Sequence, residues 1–143
     1  MSKNIKLIII LIFILSLSGC NKYDNFLSIH MIDVGQGDCI LIKTPQKKNI
    51  LIDGGDEDSY KIINSYLKWN KVKNIDIIIA THFDKDHIGS LDNVIDNFNV
   101  KKVYTPNQKD HSQHYNNLLN SCRNKNIEIY NLQRDDKLNI DKN

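Results

Sequence analysis

Residues 80–90 read ATHFDKDHIGS, and His82, Asp84, Asp86 and His87 place two imidazoles and two carboxylates within six positions. The run Ile75–Ala80, apolar but for Asp76, leads into them, which predicts a strand covered on both faces. In an extended loop alternate residues point the same way, so His82 and Asp84 can reach one metal ion together. Asp86 and His87 diverge from each other and suit a second ion beside the first. Imidazole nitrogen and carboxylate oxygen are ordinary ligands of zinc and also suit manganese. Two such ions can share a hydroxide and activate it without a serine or cysteine nucleophile. The cluster lies between the end of a strand and the start of a helix, where layered α/β proteins usually place their sites.

Working outward, Phe26–Val34, Cys39–Lys43 and Ile50–Asp53 read as three strands joined by turns, an antiparallel meander. Gly35 and Gly37 permit the tight reversal in GQGD, and Gly54-Gly55 end the third strand. A helix capped by Asp58 or Ser59 should follow, with Ile62, Ile63, Tyr66 and Leu67 on one face. Ser90 is expected to cap another, carrying Leu91, Val94, Ile95 and Phe98. Val100–Tyr104 reads as a strand, Ser112–Asn124 as a helix, Ile127–Leu132 as a strand, and DDKLNI as a turn entering a further strand. His30 is expected on the solvent side of the first strand, and His111 and His114 exposed at a helix start. Cys39 and Cys122 are read as buried residues, with a disulfide between them as the alternative.

The N-terminus is a separate unit. Lys3 and Lys6 precede the apolar stretch Leu7–Leu15, and small residues lead to Cys20. This is the layout of a secretory signal peptide, and the ending Leu17-Ser18-Gly19-Cys20 resembles a bacterial lipobox. The expected organisation is a signal peptide at 1–19, a lipidated tether at 20–25 and one domain at 26–143. A lipid on Cys20 would hold the protein at the extracytoplasmic face of the cell membrane. The formal charge of +2 is carried by Lys3 and Lys6, so the mature balance is zero. Charge alone therefore does not announce nucleic acid, and Lys47-Lys48 and Lys101-Lys102 read as solvated turns and strand ends.

THFDKDHIGS resembles the metal loop of the metallo-β-lactamase fold superfamily. IHMIDVGQGDCILIKTP and ILIDGG resemble the strands that precede that loop. The nearest likeness is to the hydrolase domain attached to bacterial competence (DNA-uptake) channel proteins. The resemblance implies an α/β fold, an αββα sandwich with its site at one edge. It implies two zinc ions, with manganese as an alternative, held by His82, Asp84, Asp86 and His87. Asp86 would act as the catalytic residue that orients the attacking hydroxide. Asp53 would support the loop rather than bind metal, and Gly35, Gln36, Gly37 and Asp38 would form the rim. The superfamily more often has histidine where Asp84 stands, and Ser90 replaces a usual glycine.

The implied activity is hydrolysis of phosphodiester or related ester bonds, with nucleic acid among the substrates. The family completes its site from later segments, with a histidine, an aspartate in a Gly-Asp turn and another histidine. No Gly-Asp pair follows the metal loop here, and no histidine follows His114. The expectation is therefore the N-terminal half of a sandwich, with a large apolar surface uncovered. Such a chain would be an active hydrolase, or an inactive remnant or surface lipoprotein binding metal or a partner. A third reading has a complementary chain supply the second half.

Overall fold

The structure is a computed structural model that describes residues 26–140. The expected signal peptide, the expected lipidation site at Cys20 and the expected tether lie outside the described residues.

The meander forms as three short antiparallel strands, β1 (Ser28–Met31), β2 (Ile40–Lys43) and β3 (Asn49–Ile52). Ile75–Ala80 does not form one strand. Asp76 divides it into β4 (Asn74–Ile75) and β5 (Ile77–Ile79), which belong to different sheets. The cause is local: the Asp76 amide donates to Asn49 O, and Oδ2 accepts from the Asn49 amide, so the residue bonds to the start of β3. Val100–Tyr104 divides in the same way, into β6 (Asn99–Val100), paired with β4, and β7 (Lys102–Pro106), paired with β5. With β8 (Glu128–Leu132) the large sheet runs β1-β2-β3-β5-β7-β8, and its last four strands are parallel. DDKLNI adds no strand; its Leu138 and Ile140 lie instead beside Ile77 and Tyr104.

Four α-helices connect the strands: α1 (Tyr60–Trp69), α2 (Lys85–Ile88), α3 (Leu91–Asn97) and α4 (Gln113–Asn124). A 3-10 turn at Glu57–Ser59, capped by Asp56, leads into α1. The caps differ from expectation in two places. Ser59 makes no side-chain cap bond, and its hydroxyl donates to Val34 O. Ser90 is fully buried and makes no cap bond either; its hydroxyl donates to the carbonyls of Asp56 and Glu57. Ser90 thus ties the metal loop to the turn before α1.

The two faces of the sheet differ. Leu41, Leu51, Ile78 and Val103 share one face by register and pack with Ile63, Leu67, Val94, Ile95 and Leu118 of the helices. His30 also belongs to this face: its Nδ1 lies 3.0 Å from the Tyr66 hydroxyl of α1. The solvent-side position expected for it is wrong by one strand step, and its neighbours Ile29 and Met31 are the exposed residues, at 60% and 70%. The other face continues through Ile40, Ile42, Ile52, Ile79, Tyr104 and Tyr130. The expected mixed α/β fold is present as one helical layer on one central sheet, with the second face of the sheet apolar. Cys39 and Cys122 are buried free thiols, and burial pushes both up to about 12, beyond ordinary thiolate chemistry.

Candidate metal centre

The site forms where β3 and β5 run out side by side. Ile52 is the register partner of Ile79, so Asp53 emerges beside the start of the loop. Asp53 adopts φ 57°, left-handed for a side-chain-bearing residue. It is only 2% exposed, yet its carboxylate is fully partnered. Oδ1 accepts from the Thr81 amide at 2.8 Å. Oδ2 accepts from the Thr81 hydroxyl at 2.6 Å and pairs with His87 Nδ1 at 2.9 Å. The backbone locks the same junction: Gly54 N donates to His87 O, and Gly89 N to Gly55 O.

These bonds set the tautomers of both histidines. The carboxylate accepts, so His87 carries its hydrogen on Nδ1 and presents Nε2. The Thr81 hydroxyl has one hydrogen and gives it to Asp53. Its oxygen therefore accepts from His82 Nδ1, 3.0 Å away, and His82 also presents Nε2. A carboxylate behind a ligating imidazole is the usual way to orient a metal-binding histidine. Here Asp53 serves one histidine directly and the other through Thr81. Thr81 was not legible as a site residue. The signal was its place beside the end of β3, which only the strand register supplies.

The rest of the loop follows the alternation expected of it. Phe83 turns inward, 4% exposed, with its ring 4.5 Å from that of Tyr115. His82 and Asp84 turn outward, with Nε2 and Oδ2 3.6 Å apart. Two ligands on one tetrahedral zinc ion, at about 2.0–2.1 Å each, lie roughly 3.4 Å apart, so this pair fits. The rings of His82 and His87 approach to 3.8 Å between centroids. Single ligand atoms of Asp53, His82 and His87 all lie within 4.8 Å of one another. With its three hydrogen bonds, Asp53 is the orienting group of this trio and the histidines are its free donors.

Asp86, on the first turn of α2, is drawn to the rim: Gln36 Nε2 donates to its Oδ2 at 3.1 Å. That bond, with its own amide, outweighs partial burial and holds the carboxyl below its ordinary range, helped by His87 and His82. Gly37 has φ 88°, and a Cβ there would run into the Asp86 carbonyl, so this contact requires glycine. Asp38 Oδ2 lies 3.9 Å from His87 Nδ1, while Gly35, also left-handed, has open space around it. His111 and His114 do not join the cluster. No other group of three or more histidine, cysteine or acidic residues with this spacing occurs among the described residues.

The chain is similar to known proteins. Over 129 aligned residues the chain is 29% identical to ComE operon protein 3 of Bacillus subtilis (strain 168), covering 78% of this chain and 17% of that protein. Over 65 residues it is 35% identical to the probable metallo-hydrolase MJ0888 of Methanocaldococcus jannaschii, covering 46% of this chain and 32% of that one. The chain thus spans well under half the length of either relative. The sequence model of the metallo-beta-lactamase superfamily matches residues 32–115, from the last core residues before GQGD through the metal loop to the first turn of α4. Over more than half its length, including every residue of the Asp53–His87 junction, this chain belongs to the metallo-beta-lactamase superfamily.

Proposed function

We propose that this domain is a metal-dependent hydrolase of phosphodiester or related ester bonds. The observation that carries the reading is the Asp53 hub, which leaves Nε2 of both His82 and His87 as donors, that of His82 3.6 Å from Asp84 Oδ2. In this reading His82 and Asp84 hold one ion, and His87 and Asp86 a second, zinc or manganese. A bound divalent ion supplies Lewis acidity and activates water at neutral pH. The chain's own residues do the rest. Asp53 and Thr81 hold the Nδ1 hydrogens, so that Nε2 is the donor nitrogen of each ring and the rings are fixed in direction. Asp86, charged and steered by Gln36, orients the attacking water. Phe83 and Ile88, both buried, anchor the loop so that its donors do not collapse inward.

The test uses the full chain with bis-p-nitrophenyl phosphate and added manganese or zinc. Turnover should require the metal and should vanish in His82→Ala and Asp86→Ala. Unchanged rates in both variants would refute the assignment. The donor count favours a second reading, metal or partner binding without turnover. Two protein ligands per ion fall short of the three plus water usual at catalytic zinc. Metal uptake without hydrolysis would select it. We place the protein at the extracytoplasmic membrane surface through a lipid on Cys20. Labelling of cells with a tagged palmitate should mark the full chain and not Cys20→Ala.

A further inference from the structure

We propose that a second site, at the amino ends of β5 and β7, binds the phosphate of a nucleotide unit and stacks its base on Tyr104. Four lysines from three separate stretches of the sequence converge there. A cleft of about 360 Å³ is lined by Lys48, Lys101, Lys102 and Lys137, with Asp76 as its acidic member and Tyr104 on its wall. The lining carries a net charge of +3 in a chain whose mature side-chain charge is zero.

One carboxylate does not account for four ammonium groups. Asp76 Oδ1 binds Lys101 Nζ at 2.7 Å and lies 3.7 Å from Lys48. Lys102 and Lys137 form no ion pair among the described residues. The nearest carboxylate to Lys102 by register is Glu128, and that group accepts the Tyr130 hydroxyl. Lys102 Nζ instead sits 5.2 Å from the centre of the Tyr130 ring, and Tyr130 stacks on Tyr104 at 5.1 Å. Like charges held this close repel unless an anion joins them. Lys48 and Lys101 face Asp76, Lys102 sits over the aromatic pair, and Lys137 lines the same cleft. Ammonium groups beside a stacking surface are the combination that binds single nucleotides and single-stranded nucleic acid. Strand rise puts this cleft roughly 17 Å from the metal loop, so the two sites do not share residues.

The nucleotide can be free or part of a strand, and binding by fluorescence anisotropy distinguishes the two. The full chain is titrated in EDTA, which makes the result independent of the metal site. One probe is fluorescein-labelled octathymidylate and the other a fluorescent ATP analogue. Binding of either supports the site, and the tighter probe identifies the source. Lys102→Ala/Lys137→Ala should weaken it about tenfold. For the strand it should also flatten the salt dependence by roughly 1.4 in log–log slope, at about 0.7 per phosphate contact. Lys102→Arg/Lys137→Arg should retain binding, and the exposed pair Lys61→Ala/Lys73→Ala should leave it unchanged. Failure of both probes to bind, or an equal loss in the Lys61/Lys73 variant, would overturn the proposal.

Discussion

The parallel strands carry one organising aspartate at each end, and the two are used in opposite ways. Asp53, at the carboxyl end, accepts only from an amide, a hydroxyl and an imidazole. It orients two imidazoles whose Nε2 atoms suit a cation. Asp76, at the amino end, accepts from the Asn49 amide and from lysine ammonium groups. It gathers positive charge, which suits an anion. The contrast shows that a partly or wholly buried carboxylate says little about a ligand's charge until its partners are known.

The comparison breaks most visibly at Asp53. Asp53→Ala leaves the Thr81 amide and His87 Nδ1 without an acceptor, and should cost about 2–4 kcal/mol in urea unfolding. A loss no larger than that of a surface substitution would mean that the hub is not structural. Thr81→Val comes next. It removes the relay to His82 but keeps the shape, so stability should fall by about 1 kcal/mol and zinc affinity by 10–100-fold in calorimetric titration. Thr81→Ser should restore most of the affinity. Equal effects of Val and Ser would point to packing rather than the hydroxyl.

Asp76 sharpens the other half. Partial burial alone would raise its carboxyl, but the Lys101 bond, the Asn49 amide and the lysine charges outweigh it, and the net shift is downward. The native state therefore binds that proton less tightly than the unfolded chain. The stabilisation is complete above the unfolded value near 3.9 and is lost as pH falls through the lower native value. Asp76→Asn should cost about 1 kcal/mol at pH 7, and the gap from wild type should close in acid unfolding curves. A gap that widens on acidification would reverse the sign of the shift. The smallest effect belongs to Gln36→Ala, at the exposed rim, which should change stability by less than about 0.5 kcal/mol.

Sequence patterns revealed the elements unevenly, for physical reasons. The meander, α1, α4 and the buried faces follow from alternation and helical spacing, because those segments bury one side. Asp76 stands in the run Ile75–Ala80, but the division of the strand was hidden, because it comes from the bonds of Asp76 to Asn49, 27 positions away. His30 was misplaced because both of its apolar neighbours, Ile29 and Met31, lie on the exposed face. The ligand loop was visible because its residues are contiguous. Its supports were visible only in part: Asp53 through motif likeness, Ser90 only as an expected helix cap, and Thr81 not at all. The lysine cleft was invisible, since Lys48, Lys101, Lys102 and Lys137 come together only when β3, β5 and β7 align.

The central claim is that Asp53 presents His82 and His87 to a divalent ion. Calorimetric titration of the full chain with zinc, beside His82→Ala/His87→Ala, tests it most directly. The account predicts saturable binding in the wild type and its loss in the double variant. Equal binding by both proteins, or none by the wild type, would contradict it.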